Sequence, residues 1–365
     1  MIKQLLVFLN SLVWIVMVLS CLSCYVSPNT FWYISFLGLG YPYVVLVTIA
    51  FLLFWMVKRH RFFWLNLLAL VLSSKFILLV FGVNFIEKQK EQGLKIMSYN
   101  VKNFDLYNWT GNKQTRSKIM KLIASENPDI ICFQEFYSDY KDFNNQAYIT
   151  DSLGYKHVFF HRTFDKKIED TNLKNGQHIQ FGLAIFSRYE ITDTGDLNFK
   201  NSINNDCIYA DIKIKNQKIR VYNTHLQSIH LGYDDYDTLE EIEENQNAQW
   251  YRIKNIIRKF KKAYSIRAKQ ADWVDENVKS YSGTKILCGD FNDVPVSYAH
   301  QRILGNMKDA FSEKGKGFGK TYVNDLGFFR IDNILFESEI KINSYKTIQK
   351  KLSDHYPVVV TFDLQ

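Results

Sequence analysis

Residues 1–86 contain no aspartate or glutamate, and their only cationic side chains are Lys3, Lys58, Arg59, Arg61 and Lys75. Within this stretch, residues 5–26, 31–57 and 62–86 are apolar runs, each long enough to cross a hydrocarbon core of about 30 Å. Three transmembrane helices are therefore expected, making a membrane anchor of residues 1–86. The third run is the weakest because Lys75 falls near its middle, and a shorter span would set Lys75 at one surface. Trp14, Trp32, Tyr33, Tyr41, Tyr43, Trp55 and Trp64 supply the aromatic residues favoured at membrane interfaces. A cleaved signal peptide fits poorly, since the first run is too long and a second follows at once. "VLSC" at 18–21 resembles a lipoprotein cleavage box, but the two further spans argue against that use. Lys3 with the terminal amine, and "KRHR" at 58–61, contrast with the uncharged "SPNT" at 27–30. The positive-inside rule then makes the N-terminus and "KRHR" cytoplasmic, and three spans put the remainder outside the cytoplasm.

The whole chain of 365 residues carries 45 Lys and Arg against 37 acidic residues. Five of those cations lie in the anchor, so residues 87–365 hold 40 against 37, a balance of only +3. The basic character belongs largely to the apolar part and is weak evidence for nucleic-acid binding. Five cysteines give no disulfide framework. Cys21 and Cys24 lie in the first apolar run, Cys132 and Cys288 sit in strand-like runs as small buried hydrophobes, and Cys207 has no evident partner.

Residues 87–94 read as a linker, and the periodicity changes from Gly93 onward. "LKIMSYNV" alternates like a strand, "QTRSKIMKLIASEN" is helical and closed by Pro128, and "DIICFQEF" is a short apolar strand. "FGLAIFSRYEI", "CIYADIKI" and "KIRVYNTHL" follow as strands rich in β-branched and aromatic residues. An acidic loop over 232–249 precedes a long helix, with Trp250, Ile253, Ile257, Phe260, Ala271, Val274 and Val278 near helical spacing. "KILCGDFNDVP" (285–295), "GFFRIDNILF" and "SDHYPVVVTF" complete the pattern, with no internal repeat. Many short strands buried on one face, with few connecting helices, predict two packed sheets flanked by helices in one domain over 95–365.

Polar residues recur where these strands stop. They are Asn100, Glu135, Asn223, His225, Asp290, Asn292, Asp332, Asp354 and His355. Each alone has an ordinary structural reading, as turn former, rim carboxylate or satisfied core histidine. Six strand ends of this kind in one domain instead predict a shared pocket at one edge of a sandwich.

"SYNV", "QE", "GLAIFSR", "NTHLQ", "GDFND", "RIDNILF" and "SDHYPV" occur in an order that resembles the endonuclease/exonuclease/phosphatase superfamily, from about Lys95 to Phe362. The resemblance implies that the α/β domain is a four-layer α/β/β/α sandwich, so with the apolar runs the expected fold class is N-terminal transmembrane α-helices followed by that domain. It implies a Mg²⁺-dependent phosphoesterase, with Mn²⁺ as a substitute, hydrolysing a phosphodiester or phosphomonoester by in-line attack of water. Glu135 would be the principal metal ligand, with Asn100 beside it and Asp354 in the same group. Asp290 would orient or activate the water, Asn292 would stabilise the phosphorane, and Asp332 would hold His355. His355 and His225 would contact the phosphoryl oxygens, Asn223 would belong to the same catalytic set, and Asp290 with His355 would form the acid–base pair. One position departs from the pattern: Lys102 stands where abasic-site endonucleases carry a metal-holding Asp, with Asp105 as a nearby substitute. Membrane attachment and "NTHLQ" suit a phospholipid headgroup as substrate, with nucleic acid the other candidate; no protein partner is implied. The contrasting reading is a catalytically inactive binding module that keeps the fold.

"GKGFGKT" at 315–321 looks like a phosphate loop, but Lys314 occupies a required glycine position and no strand-to-helix context is evident. The acidic run 234–244 reads as a solvated surface loop. Arg252, Lys254, Arg258, Lys259, Lys261 and Lys262 form one polar helix side, either solvated or facing anionic headgroups or nucleic acid. "RAKQA" at 267–271 reads as packing and polar support for the sheet edge.

Overall fold

The computed structural model describes residues 1–85, 90, 92–139, 141, 143–168, 177–199, 205–229, 246–323 and 327–364. Most of the expected acidic loop, and residues 87–89 and 91 of the expected linker, lie outside the described residues. The chain divides into two compact units: Met1–Ile77 with Gln227–Trp273 and Asn292–Ile303, and Leu78–Leu226 with Val274–Phe291 and Leu304–Gln365.

The first unit is helical, and it corrects the expectation of three spans. Ile2–Leu22 is a 21-residue apolar helix, the one helix among the described residues long and apolar enough to cross a membrane. The second run breaks at Gly40 into Ile34–Leu39 and Tyr41–Val57, with Pro42 seated in the first turn of the latter. Its 17 residues rise about 25 Å, short of the hydrocarbon core. The third run is bent by 62° between Phe62–Leu72 and Ser74–Val80, and counts as a second span only if that pair is taken as one. Buried Asn10 accepts hydrogen bonds from Trp55 Nε1 (2.8 Å) and Asn66 Nδ2 (2.9 Å), which ties three apolar helices through one amide.

The long helix Gln246–Ser280 buries Ile256, Ala263, Tyr264, Ala268 and Ala271. Trp250 and Ile257, expected on its core stripe, are exposed, because the buried stripe runs through 256, 263 and 267 instead. Phe36 packs on Phe260 and Tyr264 with ring centroids 5.2 and 5.8 Å apart.

The second unit is a sandwich of two six-stranded mixed sheets. In chain order the strands are β1 (Leu94–Asn100), β2 (Ile130–Ser138), β3 (His157–Ile168), β4 (Gln177–Ser187), β5 (Glu190–Asp196) and β6 (Asp206–Ile214). They continue as β7 (Gln217–His225), β8 (Lys285–Asp290), β9 (Lys308–Asp309), β10 (Asp332–Phe336), β11 (Lys341–Thr347) and β12 (Val358–Asp363). One sheet has the order β11-β12-β1-β2-β4-β3 and the other β9-β10-β8-β7-β6-β5. Each has one parallel pair at its centre, β1 with β2 and β7 with β8, and antiparallel neighbours elsewhere. A parallel pair needs a crossover, and helix α1 (Thr115–Glu126) provides it between β1 and β2. Its Ile119, Met120, Leu122 and Ile123 are buried with Met97, Ile131 and Phe133 on the outer face of that sheet. On the other sheet, Tyr222 donates its hydroxyl to Asn277 Oδ1 at 3.0 Å, near the end of the long helix.

The layer between the sheets is apolar for most of its length, with Ile96, Ile130, Cys132, Ile208, Val221, Ile286, Cys288, Ile334, Val358 and Val360 buried together. Strand alternation puts every second residue of a strand on one face. Those inward rows end on polar groups: Ile96-Ser98-Asn100, Val221-Asn223-His225, Ile286-Cys288-Asp290 and, read backwards, Phe336-Ile334-Asp332. The polar strand ends thus continue the rows that build the core.

Candidate active site

Pairing register assembles the site. Asp332 is opposite Asp290, Asp290 is beside His225, and His225 is opposite Asp206, so four adjacent strands of one sheet carry a single polar row. Gly289, just before Asp290, has φ +151°, and a Cβ there would lie 2.0 Å from the Thr224 carbonyl oxygen. Only glycine lets β8 run this close to β7 as it delivers Asp290.

Glu135 arrives differently. Gln134 continues the inward row of β2, so simple alternation would send Glu135 outward. A register shift between Phe133 and Phe136, with Glu135 at φ +49°, breaks the alternation. A non-glycine residue held there costs about 1–3 kcal/mol, which the buried Phe133 and Phe136 on either side offset.

The side chains converge on Asp290, which is 1% exposed. Asn100 Nδ2 is 3.1 Å from Asp290 Oδ2 and 3.3 Å from Glu135 Oε1. His225 Nε2 lies 3.6 Å from Asp290 Oδ2 and 3.9 Å from Glu135 Oε1, and His355 Nε2 lies 3.6 Å from the same Asp290 oxygen. His355 Nδ1 is 2.9 Å from Asp332 Oδ2, and the Tyr322 ring packs edge-on against the imidazole at 5.3 Å. Burial pushes the His355 pKa down, but the carboxylates of Asp332 and Asp290 outweigh it and hold the imidazole well above its ordinary value. Asp354 is raised by burial yet lowered overall by His355 and by Lys102, whose Nζ is 2.8 Å from Asp354 Oδ2.

One expected catalytic residue lies off the row of converging groups. Asn223 lies one rung deeper, fully buried, donating to the carbonyls of Phe133 (2.8 Å) and Ala184 (3.1 Å) in the opposite sheet. Asn292 begins the 292–303 stretch of the helical unit and has a left-handed backbone, φ +51°. Asp105 accepts hydrogen bonds from the Thr110 amide and hydroxyl, so its carboxylate holds its own loop.

The structure also adds residues that the strand-end pattern does not pick out. Gln134 Nε2 bridges Ser98 Oγ (3.2 Å) and Asn223 Oδ1 (2.7 Å), closing a polar layer beneath the acidic one. Thr321 Oγ1 accepts from the amides of Ile331 and Asp332, and Ser353 Oγ donates to the Asn100 carbonyl at 2.8 Å. Arg330, 2% exposed, donates to Asp309 Oδ2 and Asn333 Oδ1, both at 2.6 Å, and so braces the strand that begins at Asp332. Arg267 and Gln270 of "RAKQA" bind Gln227 in the helical unit, through its carbonyl (3.0 Å) and its amide (2.8 Å), and Arg267 pairs with Asp293 at 2.8 Å.

Carboxylates, an amide and imidazoles thus converge on the strand ends of a two-sheet sandwich, a set of hard oxygen donors and proton carriers suited to hydrolysis. A family model described as the Endonuclease/Exonuclease/phosphatase family matches residues 97–355, and the chain belongs to that family. A second model, a domain of unknown function (DUF8431), matches residues 3–80. Among solved structures, the chain is similar to the human Nocturnin catalytic domain with bound sulfate (16% identity, 78% of this chain and 99% of that one, TM-score 0.53). It is also similar to a humanized D. rerio TDP2 (18% identity, 74% and 99% covered, TM-score 0.51). A third is the Bacteroides thetaiotaomicron mannosyl-6-phosphatase (18% identity, 74% and 100% covered, TM-score 0.50). At these identities the likeness shows the fold. No curated protein matches the chain.

Proposed function

We propose that this protein is a membrane-held, Mg²⁺-dependent phosphoesterase that cleaves a phosphodiester or phosphomonoester by in-line attack of water. The observation that carries this reading is the sharing of one Asp290 oxygen by Asn100, His225 and His355, with Glu135 alongside. A binding module without catalysis would have no need to bury Asp290, Asp332 and His355 together, with donor atoms all within 4.8 Å of one another.

The donor set fits a hard divalent cation, Mg²⁺ or Mn²⁺, because Glu135 and Asp290 present carboxylate oxygens beside the Asn100 amide. Glu135 would be its principal ligand, and Asn100, whose Nδ2 here faces both carboxylates while its Oδ1 accepts from the Lys102 amide, would join through Oδ1 by turning its amide over; when bound the ion would neutralise charge on the phosphoryl oxygens. Asp354 is engaged by Lys102, which assigns it to positioning that lysine. Asp290 accepts a proton from the attacking water and fixes its direction. His355, kept as imidazolium by Asp332, donates to a phosphoryl or leaving oxygen, and His225 donates from the adjacent strand. Asn292 is assigned to the phosphorane oxygens. Asn223 supports the site from below through its bonds to the opposite sheet.

The first helix holds the chain at the bilayer, with the catalytic unit on the extracytoplasmic side. A phospholipid headgroup is the substrate that best suits this attachment. Nucleic acid is the second reading, favoured by exposed Tyr107 and Trp109, since Lys102 Nζ lies 4.9 Å above the Trp109 ring. The test is hydrolysis by the full chain in detergent of phospholipid, single-stranded DNA and RNA with Mg²⁺. Asp290→Asn and His355→Ala should each lose about 10²-fold or more in turnover. Wild-type rates in both variants would overturn the assignment.

A further inference from the structure

The glycine- and lysine-rich "KGKGFGK" stretch, 314–320, is not used by the catalytic site. In the fold its residues 316–320 line one wall of a cleft of about 590 Å³ on the sandwich unit. Lys316 and Lys320 come from this wall, and Lys95 and Lys346 from the opposite one. The acidic residue on the lining is Glu126, whose carboxylate pairs with Lys346 Nζ at 2.9 Å while its carbonyl accepts from Lys95 Nζ at 2.8 Å. Among the described lining residues four lysines stand against one carboxylate, with Lys95 and Lys346 both held by Glu126, so the described lining is net positive.

The wall admits close approach at Gly317. Gly317 and Gly319 have φ of +64° and +58°; a Cβ on Gly317 would meet nothing within 4 Å, whereas one on Gly319 would lie 2.2 Å from the Phe311 ring. The backbone of Gly317 is therefore open on the side where a side chain would otherwise project. The cleft also has an apolar component: Phe318 and Phe328 stack at 4.4 Å and 17°, with Phe328 53% exposed.

Its position is equally informative. Gly317 and Lys316 pair with Gly82 and Val83, immediately after the last apolar helix, Ser74–Val80. Phe81 packs on Phe318 at 5.2 Å, and Val83 and Phe85 are exposed beside it. Lysines for phosphate oxygens, a phenyl pair for an apolar body, and a place where the chain leaves its apolar segment describe one ligand. The geometry points to a binding cleft for the phosphate of an anionic lipid headgroup, with Lys316 and Lys320 on the phosphate and Phe318 and Phe328 on the glycerol and upper acyl chain. This site rests on the membrane attachment proposed above but not on the phosphoesterase chemistry, because binding there requires no turnover.

The experiment uses the full chain in nanodiscs of phosphatidylcholine, with or without phosphatidylglycerol, read by hydrogen exchange of the 314–320 amides. Phosphatidylglycerol should slow exchange about ten-fold, and Lys316→Glu with Lys320→Glu should abolish that slowing. Lys320→Gln, a milder change at the loop surface, should reduce it. A parallel arm adds glycerol 3-phosphate to phosphatidylcholine discs. Protection by glycerol 3-phosphate without protection by phosphatidylglycerol would replace the lipid with a soluble phosphate ligand and overturn the assignment. Unchanged exchange in both arms would remove the site. Absence of phosphoester hydrolysis in the same discs would count against the catalytic reading alone.

Discussion

His355 Nδ1 and Asp332 Oδ2 are 2.9 Å apart at a place where both residues are almost wholly buried. A buried imidazole beside a carboxylate keeps its proton to higher pH than a free one, and here Asp290 adds a second negative neighbour. The charged form of His355 is thus favoured to higher pH than that of a free imidazole, which suits a donor to a phosphoryl oxygen.

The pH profile should follow from that proton. As pH rises through the elevated His355 pKa, the imidazolium is lost and kcat/KM should fall on the alkaline limb. Asp332→Asn should move this limb to lower pH. The same group contributes stability that is complete below its unfolded value, about 6.5, and is lost as pH rises through the folded value. Thermal unfolding followed against pH should therefore show an alkaline decline that His355→Ala reduces. An Asp332→Asn profile superimposable on the wild type would refute the pairing.

Metal dependence should centre on Glu135, which a left-handed backbone and a register shift turn toward Asn100 and His225. Glu135→Gln keeps the shape and removes the charge. Its rate should fall at least ten-fold at limiting Mg²⁺, with partial rescue at high Mg²⁺ or Mn²⁺. Full activity of the wild type in excess chelator would end the metal assignment.

The contrast between Glu135 and Asp290 shows what the sequence could reveal. Asp290, His225 and Asn100 end alternating rows, so strand periodicity and a polar terminus were enough to predict their convergence. Glu135 was legible as a polar strand end and through its "QE" resemblance, but it reaches the site through a bulge that alternation does not encode. Gln134 stands in the same dipeptide, yet its role depends on the opposing sheet, which local pattern cannot supply. The apolar runs misled in another way. Hydropathy reads composition over a window and is blind to Gly40, Pro42 and the bend at Ser73, where backbone geometry divides two expected spans into shorter helices.

Asn223 should behave as a structural residue. Its amide satisfies carbonyls of Phe133 and Ala184 and accepts from Gln134, all in the fully buried layer between the sheets. Asn223→Ala strands these groups, at a cost of about 2 kcal/mol or more. The melting temperature should drop by several degrees, and activity normalised to folded protein should fall far less than for Asp290→Asn. An Asn223→Ala protein with native stability and a rate loss as deep as Asp290→Asn would return this residue to the reacting groups.

The side of the membrane can be decided by two reporter fusions. Lys3 lies in the first turn of the helix Ile2–Leu22, beside the terminal amine, and no charge occurs between that helix and Lys58, so the first helix should enter with its N-terminus cytoplasmic. The cluster Lys58, Arg59 and Arg61 follows Tyr41–Val57. If that 17-residue helix crosses with local bilayer thinning, the cluster is cytoplasmic, and the bent Phe62–Val80 pair must cross to bring the sandwich outside. If Tyr41–Val57 and the bent pair both stay at the interface, the cluster and the sandwich are both outside. Either arrangement puts Gln365 outside the cytoplasm, so alkaline phosphatase fused there should be active and a cytoplasm-only fluorescent protein dark. A fusion after Arg61 separates the two: an inactive phosphatase means that Tyr41–Val57 crosses, an active one that it does not. Cytoplasmic fluorescence from the Gln365 fusion would place the catalytic unit inside the cell and exclude an extracellular substrate.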